Sequence, residues 1–205
     1  MKIICIGRNY LDHATELGNA VPSEPMFFLK PDSSVLHKRH AFYIPDWTHE
    51  VHYEVELVVK ILKLGKAIQT KYASRYYAEV GLGIDFTARD VQSKLKAAGH
   101  PWEKAKSFDG SAVVSEEFIS LDRLGKSIQD LNFDLSLNGT KVQVGSTSDM
   151  IFKVDDLISY VSQFMTLKTG DLIFTGTPSG VGPVKSGDKI TGTLEGFQML
   201  NVNVK

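Results

Sequence analysis

The segment that most limits how this chain can fold runs from His52 to Val59. Its first six residues alternate between polar and apolar side chains, and an unbroken apolar run follows them. A period of two is typical of a β-strand, in which residues i and i+2 project from the same face. The pattern therefore predicts a long strand, His52–Leu62, with Glu54 and Glu56 as neighbouring carboxylates whose α-carbons are about 7 Å apart. Two like charges at this spacing repel each other unless a cation lies between them or the face is open to water.

A third carboxylate belongs to a second predicted strand, Glu79–Phe86. After its first residue this segment is apolar except for Asp85, so the strand is predicted to be buried. A buried carboxylate is costly unless it is paired or binds a metal. With the two glutamates, Asp85 provides the oxygen ligands that Mg²⁺ or Mn²⁺ prefers. The alternative is that the glutamates lie on the solvent face of an amphipathic strand and that Asp85 is a turn or capping residue.

Length and charge narrow the classes of protein to which the chain can belong. Its 205 residues fit one large domain, with two small domains as the alternative, and one domain of this size would bury about 70% of the surface of the unfolded chain. The formal net charge is −1 and no long basic run occurs, which argues against a nucleic-acid partner. Cys5 is the single cysteine, so a disulfide framework is excluded and a buried position in the strand Lys2–Ile6 is expected. Because the sequence shows no signal peptide and no apolar run near 18 residues, we expect a cytoplasmic protein without a membrane partner.

The remaining pattern predicts a β-rich α+β fold. The clearest local signal is the Asn-Gly pair at 138–139 between the alternating segments Asn132–Leu137 and Thr140–Gly145, which is typical of a type I′ hairpin. An apolar stripe predicts a helix over Val154–Met165. Strands outnumber helices and are spread along the sequence, so we expect a single domain over residues 1–205 with a closed or rolled sheet.

Polar residues that follow Asp85 indicate the start of a helix. Thr87 is suited to the N-cap, and Asp90 stands at the third helical position as in a capping box. Arg89 and Gln92 would then lie on one side of the helix start, where they could donate to an anionic substrate. The alternative is that both are surface residues of a short helix.

Other candidate residues have weaker local signals. His13 and Glu16 would share one face of a polar helix and suggest a base held by a carboxylate, although solvated side chains are the alternative. Lys106 lies in a predicted loop, Trp102–Gly110, and no local pattern indicates a function for it. The segment Thr175-Gly-Thr-Pro-Ser-Gly-Val-Gly182 allows close approach of a ligand to the backbone. It lacks the Gly-Lys-Ser/Thr of a P-loop, which argues against nucleotide binding.

Several sequence blocks, taken in order, match one known family. They are Gly7-Arg-Asn-Tyr10, Asp12-His13, Phe28-Leu-Lys-Pro31, His52-Tyr-Glu-Val-Glu56, Asp85-Phe-Thr-Ala-Arg-Asp-Val-Gln92, Pro101-Trp102, Ala105-Lys-Ser-Phe108, Ser146-Thr-Ser-Asp-Met-Ile-Phe152 and Thr175–Gly182. With these blocks the chain resembles the fumarylacetoacetate hydrolase family, and within it the small one-domain branch of acylpyruvases and oxaloacetate decarboxylases. The blocks span almost the whole chain and are highly specific for the family, but only weakly specific for the substrate.

The resemblance implies a fold and a set of functional residues. The fold would be a mixed-sheet roll, or pseudo-barrel, with few helices, and the protein would be a homodimer. Glu54, Glu56 and Asp85 would bind Mg²⁺ or Mn²⁺. Around the metal, the resemblance implies substrate contacts by Arg89, Gln92, Lys106, Thr177 and Arg8, with Lys106 also acting in catalysis. It also implies a water-activating dyad of His13 and Glu16 on a mobile lid near residues 11–24.

The activity implied by the resemblance is the metal-dependent hydrolysis of a C–C bond in small 2-oxo acids, or their decarboxylation. Acylpyruvates and oxaloacetate are the expected substrates, because a hard metal ion can stabilise the enolate that forms when the bond breaks. One alternative is an isomerase or decarboxylase of unsaturated oxo-diacids, of the 2-hydroxyhepta-2,4-diene-1,7-dioate isomerase type. Another alternative is a non-catalytic module that binds a metal or an oxo acid.

Overall fold

The computed structural model of the protein describes residues 1–12 and 21–205. In chain order the strands are β1 (Ile3–Gly7), β2 (Met26–Lys30), β3 (Val51–Tyr53), β4 (Val55–Lys60), β5 (Glu79–Asp85), β6 (Thr87–Ala88), β7 (Ala112–Val114), β8 (Ile119–Ser120), β9 (Asn132–Leu137), β10 (Thr140–Ser146), β11 (Leu172–Phe174), β12 (Gly182–Pro183), β13 (Lys189–Leu194) and β14 (Phe197–Asn203). The α-helices that lie wholly in the described residues are α1 (Thr70–Ala73), α2 (Arg89–Ala97), α3 (Glu103–Lys106), α4 (Leu121–Leu124) and α5 (Val154–Phe164). Short 3-10 helices span Asp32–Ser34, Ser74–Tyr76 and Thr147–Asp149.

Within the described ranges, the strands form three sheets. A seven-stranded sheet has the order β2-β1-β11-β4-β5-β7, with β8 beside β5. A four-stranded sheet has the order β10-β9-β13-β14, and a three-stranded sheet has the order β12-β3-β6. β1 runs parallel to β11, whereas the other strand pairs in these sheets are antiparallel. This mixed, β-rich α+β architecture with few helices confirms the predicted fold class.

Apolar residues cover both faces of the seven-stranded sheet. Leu57 and Val59 lie in the larger hydrophobic core, while Val58 packs with Cys5 in a second cluster on the opposite face. An unbroken apolar run in β4 is therefore expected, because a central strand buried on both faces has no need of polar positions. The predicted burial of Cys5 is confirmed. The predicted helix Val154–Met165 is observed as α5, with its apolar stripe buried in the larger core.

The predicted hairpin is confirmed. β9 and β10 pair antiparallel around the turn at 138–139. Asn138 has φ 53° and Gly139 has φ 81°, and positive φ at both central residues is the requirement of a type I′ turn. The alternating pattern and the turn residues of this segment were sufficient to predict its conformation, because both signals are local.

The prediction of one strand over His52–Leu62 is wrong, because the strand is interrupted at Glu54. β3 pairs with β6 and β12 in the three-stranded sheet, whereas β4 pairs with β5 and β11 in the seven-stranded sheet. The chain thus leaves one hydrogen-bonded ladder and enters another while it stays extended. Alternation of side chains cannot reveal this change, since it depends on which strands lie beside the segment.

Two other local predictions are also wrong. Thr87 does not cap a helix, because it lies in β6 and its hydroxyl donates to Glu54 Oε1 at 3.0 Å. A carboxylate is a strong acceptor, so the Thr87 hydroxyl binds Glu54 instead of capping the first N–H groups of the helix. Residues 103–106 form α3 rather than a loop, with the N–H of Lys106 bonded to the carbonyl of Trp102 at 3.0 Å. Among the helices of the described residues, none is both long enough and apolar enough to cross a lipid bilayer.

Candidate metal and substrate site

The three predicted metal ligands come together where two sheets meet. Glu54 stands between β3 and β4, Glu56 lies in β4, and Asp85 ends the neighbouring strand β5. The N–H of Asp85 donates to the carbonyl of Glu54 at 2.9 Å, which aligns the two strand ends. One oxygen from each carboxylate lies within 4.8 Å of the others. Their exposures are only 5%, 2% and 1%, so the interpretation of the glutamates as a solvent face is wrong.

Three cationic side chains surround the carboxylates. Lys106 Nζ lies 2.9 Å from Glu54 Oε2 and 2.7 Å from Asp85 Oδ2. Arg89 Nη2 forms an ion pair with Glu54 Oε1, and Lys30 Nζ lies 2.8 Å from Asp85 Oδ1. The formal charges of the three carboxylates and the three cations sum to zero. Buried charges that lack partners would be strongly unfavourable, and the ion pairs compensate Glu54 and Asp85, whereas Glu56 accepts from the N–H of Gly176.

Lys30 is a residue of the site that the sequence analysis missed. It is 1% exposed and its ammonium group donates to the backbone carbonyl of Lys106 and to Ser111 Oγ, the latter at 3.0 Å. Its position in the block Phe28-Leu-Lys-Pro31 was a possible signal, but nothing local distinguishes it from a lysine at an exposed strand end. The contact with Asp85 arises only when β2 and β5 are placed in one sheet.

Burial determines how the acidic and basic groups of the site ionise. Burial raises the pKa of Glu56 well above its ordinary value, and the charges of Asp85 and Glu54 act in the same direction. The N–H of Gly176 donates to Glu56 Oε2 at 2.6 Å and partly opposes that rise. Burial alone would lower the pKa of Lys106, but the negative charges of Asp85 and Glu54 outweigh it and raise the pKa above its ordinary value. Lys106 is therefore a stable cation in this site.

The donor atoms of the site fit a hard divalent metal ion. Three carboxylates at a common point form the oxygen-rich set that Mg²⁺ and Mn²⁺ favour. Asp85 Oδ1 is buried and accepts no hydrogen bond from the residues that the structure describes, although it forms the ion pair with Lys30 at 2.8 Å. A carboxylate oxygen has more than one lone pair, so Asp85 Oδ1 can coordinate a metal ion while it keeps this ion pair.

The carboxylates line a cavity of about 160 Å³, a size that suits a compact molecule. Every predicted site residue within the described ranges contributes to its wall: Arg8, Glu54, Glu56, Asp85, Arg89, Gln92, Lys106 and Thr177. Met26, Phe28 and Trp102 also line the cavity and contribute apolar surface. The cavity is thus lined by both charged groups and apolar side chains, which is typical of a small-molecule site.

Arg89 and Gln92 occupy the start of α2, as predicted. Arg89 Nη1 donates to Gln92 Oε1 at 2.6 Å, and Arg89 Nε donates to His52 Nδ1 at 3.3 Å. These contacts hold the guanidinium group over the cavity. Burial lowers the pKa of His52, an effect that the nearby Arg89 charge reinforces and that hydrogen bonding to Glu50 opposes.

Arg8 adopts an unusual backbone conformation at the edge of the cavity. Its φ of 57° lies in the left-handed region, which costs a residue with a side chain roughly 1–2 kcal/mol. The next residue, Asn9, is fully buried, and its amide donates to the carbonyls of Thr175 at 2.8 Å and Phe152 at 3.1 Å. The N–H of Phe152 also donates to Asn9 Oδ1 at 2.8 Å. This anchor offsets the cost and holds Arg8 beside the cavity.

The predicted dyad of His13 and Glu16 lies outside the described residues. So does most of the predicted lid near residues 11–24, of which residues 11, 12 and 21–24 are described. The roles of these two side chains stay predictions.

Comparisons with known proteins agree with the geometry. The family model for the fumarylacetoacetate (FAA) hydrolase C-terminal region matches residues 2–205. Oxaloacetate tautomerase YcgM from Escherichia coli (strain K12) is 44% identical over 198 residues, covering 97% of this chain and 90% of that protein. Mitochondrial oxaloacetate decarboxylase from Dictyostelium discoideum is 46% identical over 197 residues, covering 96% of this chain and 89% of that protein. Fumarylpyruvate hydrolase from Pseudomonas aeruginosa, solved in complex with Mn²⁺ and pyruvate, superposes with a TM-score of 0.92 at 35% identity, covering 100% of this chain and 89% of that chain.

Proposed function

We propose that this chain, which belongs to the fumarylacetoacetate hydrolase family, is a divalent-metal-dependent enzyme that hydrolyses a C–C bond in small 2-oxo acids or decarboxylates them. The observation that supports this most is the convergence of three buried carboxylates with Lys106 and Arg89 in one small cavity. The names of the relatives support the same class of substrate, since oxaloacetate and fumarylpyruvate are both 2-oxo acids.

Glu54, Glu56 and Asp85 would hold the metal ion. The Mn²⁺ in the Pseudomonas aeruginosa relative supports Mg²⁺ or Mn²⁺ in this position. When bound, such an ion supplies Lewis acidity that stabilises negative charge developing on a substrate oxygen.

Lys106 and Arg89 would bind the anionic part of the substrate. Both are charged donors, and a charge-assisted hydrogen bond to a carboxylate or oxyanion is about twice as strong as a neutral one. Lys30, Arg89 and Lys106 cancel the formal charge of the three carboxylates, so the protein itself does not repel an anion. Arg8, Gln92 and Thr177 would position the rest of the substrate against the cavity wall.

His13 would act as the base for hydrolysis, with its ring oriented by Glu16. It would take a proton from the water that attacks the acyl carbonyl, and closure of the lid would bring it to the site. Decarboxylation needs no attacking water, because the C–C bond breaks with release of CO₂. One cavity can therefore serve both reactions, and only hydrolysis would require the dyad.

A second candidate function is tautomerisation of oxaloacetate, which the name of the Escherichia coli relative favours. This reaction moves a proton between carbon and oxygen and leaves all C–C bonds intact. It would use the same carboxylates and cations but no attacking water. Because no C–C bond breaks, analysis of the products separates tautomerisation from hydrolysis and decarboxylation.

A substrate screen tests the proposal directly. The purified protein is supplied with Mg²⁺ or Mn²⁺ and assayed with acylpyruvates, oxaloacetate and unsaturated oxo-diacids, with and without EDTA. We expect turnover of an acylpyruvate or oxaloacetate that EDTA abolishes. Turnover confined to the oxo-diacids would instead identify the isomerase alternative. Metal binding without turnover of any substrate would identify a non-catalytic module.

A paired measurement tests the base. In His13→Ala we expect hydrolysis of acylpyruvate to fall by roughly 10²–10⁴-fold, the usual contribution of a positioned general base. Binding of oxalate, measured by calorimetry in the presence of Mg²⁺, should change little because the carboxylates lie on other elements. Glu16→Gln should act in the same direction more mildly. Hydrolysis by His13→Ala at the parent rate would show that the base lies elsewhere.

A homodimer, which the family resemblance supports, and the cytoplasmic location that we expect from the sequence complete the proposal. Light scattering on the purified protein would test the first, because a mass near 22.7 kDa, that of one chain, would contradict it. Fractionation of the source cells would test the second.

A further inference from the structure

The peptide group between the two glutamates of the site needs a partner from outside its own sheet. Val55 is buried between Glu54 and Glu56, at the point where the chain changes from one sheet to the other. On this side of β4 the neighbouring strand β11 ends at Phe174, and the chain continues into the loop that contains Thr177. A buried N–H without an acceptor would cost about 1–3 kcal/mol.

Gln143 provides that acceptor. Its Oε1 accepts from the N–H of Val55 at 2.9 Å, and the two residues are 88 positions apart in the sequence. Its Nε2 donates to Thr177 Oγ1 at 2.9 Å and to the carbonyl of Pro178 at 3.0 Å. The side-chain amide therefore takes the place of a backbone peptide group, with β4 on one side and the loop after β11 on the other.

An irregularity in the hairpin turns Gln143 toward this gap. The register of β9 and β10 shifts between Lys141, which pairs with Ser136, and Gln143, which pairs with Leu135. Val142 is therefore an extra residue, and such a bulge moves the following side chain to the other face of the strand. With a regular register Gln143 would stand opposite Asp134 on the outer face. With the bulge it stands opposite Leu135, whose side chain is in the core.

Gln143 is enclosed at this position. Its exposure is 1%. Both polar atoms of its side chain have hydrogen-bond partners, which offset the unfavourable free energy of burying an amide. The loop after β11 packs directly on the bulge, because a Cβ added to Gly180 would lie 2.3 Å from the carbonyl of Val142. Backbone contact of this kind leaves little freedom for the loop to move relative to Gln143.

We infer that Gln143 is a positioning residue. It fixes the chain segment that carries Glu54 and Glu56 relative to Thr177, so that the proposed metal ligands and the proposed substrate-binding loop keep their relative positions. This inference rests on the proposed function of the cavity. Gln143 does not line the cavity among the described residues, so its action is through Val55 and Thr177. Outer partners of metal ligands commonly influence metal affinity by 10–100-fold, and small displacements of positioned groups can change rates by about 10²-fold.

The test compares the parent protein with Gln143→Met, which removes all three hydrogen bonds at similar volume. Binding of Mn²⁺ is measured by calorimetry, and kcat is measured at saturating Mn²⁺ with the substrate on which the parent is most active. We expect Mn²⁺ to bind about 10–100-fold more weakly. We also expect kcat to stay roughly tenfold or more below the parent at saturating metal, because Thr177 is no longer held against the carboxylates.

Leu135→Val is the matched control, since it shortens the core side chain directly opposite Gln143 and leaves β4 untouched. It should lower the melting temperature while Mn²⁺ affinity and kcat stay within about threefold of the parent. Equal losses of Mn²⁺ affinity in both variants would overturn the inference, because Gln143 would then support only the hairpin. Parent-like Mn²⁺ affinity and kcat in Gln143→Met would overturn it as well.

Two further outcomes have separate meanings: failure of Gln143→Met to fold, and absence of Mn²⁺ binding by the parent. If Gln143→Met fails to fold, Gln143→Asn is measured in the same way, since it keeps the amide but is too short to span the gap. Parent-like Mn²⁺ binding and kcat in that variant would overturn the inference. Absence of Mn²⁺ binding by the folded parent would instead overturn the proposed function, and the inference with it.

Discussion

Two lysine–carboxylate ion pairs in this protein have the same length and different surroundings. Lys106 Nζ lies 2.9 Å from Glu54 Oε2, and Lys141 Nζ lies 2.9 Å from Asp134 Oδ2. The side chains of the first pair are 4% and 6% exposed, and those of the second pair are 56% and 19% exposed. Burial, and not distance, therefore distinguishes them. An exposed pair contributes about 0–1 kcal/mol, whereas removing one partner of a buried pair costs about 3–5 kcal/mol.

The surroundings of the two pairs also differ in how they meet water. On the hairpin, Asp134 accepts from Lys141 and from Thr193 Oγ1 at the protein surface, where water can replace either partner. In the cavity, Glu54 and Asp85 are paired with Lys30, Arg89 and Lys106 at positions with little access to water. Folding gains little from such a buried network compared with apolar packing, which agrees with the proposed role of these charges in binding a metal ion and an anionic substrate.

The largest effect is expected from the carboxylates of the cavity. Asp85→Ala or Glu56→Ala should lower turnover by about 10³-fold or more, because metal assistance supplies several kcal/mol and each 1.36 kcal/mol is a factor of ten. Thermal stabilisation by Mg²⁺ should decrease in parallel. Asp134→Ala is the surface control and should keep the parent rate. Unchanged turnover of Asp85→Ala at micromolar Mg²⁺ would show that Asp85, like Asp134 on the hairpin, has no role in metal-dependent turnover.

A large loss of stability is expected from Lys30→Met. The free energy of unfolding should fall by about 3–5 kcal/mol, because Asp85 loses a buried ionic partner. Urea denaturation followed by circular dichroism measures this change. The double variant Lys30→Met/Asp85→Asn should recover part of the loss, since neither charge is then left in excess. A loss below 1 kcal/mol in the single variant would mean that the buried Lys30–Asp85 ion pair contributes no more to stability than an exposed pair.

A smaller effect, on catalysis, is expected from Lys106→Met. A charge-assisted hydrogen bond to an anionic substrate is worth about 1.5–3 kcal/mol. The specificity constant at saturating metal should therefore fall by roughly 10–100-fold. Steady-state kinetics of the variant and the parent give this ratio. Full activity in Lys106→Met would show that Lys106, like Lys141, has no catalytic role.

The smallest effect is expected from Lys141→Met. Its free energy of unfolding should stay within about 1 kcal/mol of the parent, and the difference should shrink further at high salt because exposed charges are screened. Parallel urea titrations at low and high salt provide the measurement. A salt-independent loss above 2 kcal/mol would show that exposure is a poor guide to the value of an ion pair in this protein.

Local patterns in the sequence determined the elements that depend on neighbouring residues. The hairpin at 138–139 follows from alternation and an Asn-Gly turn, and α5 follows from an apolar stripe. The pairing of Glu54 with Glu56 follows from spacing along an extended chain, and the burial of Asp85 follows from its apolar segment. A role for Lys106 came only from the family resemblance, because its own surroundings in the sequence contain no signal.

Tertiary structure alone decided the contacts that join distant parts of the chain. The interruption of the strand at Glu54 depends on which strands lie beside it, and the position of Lys30 depends on the pairing of β1 with β2 and on the sheet that contains β5. Gln143 reaches Val55 across 88 positions only because a bulge reverses its face. A residue's intrinsic preferences extend over a few neighbours, whereas the partner of a buried charge or amide is set by packing. The sequence therefore indicated which carboxylates would meet, and folding determined what holds them there.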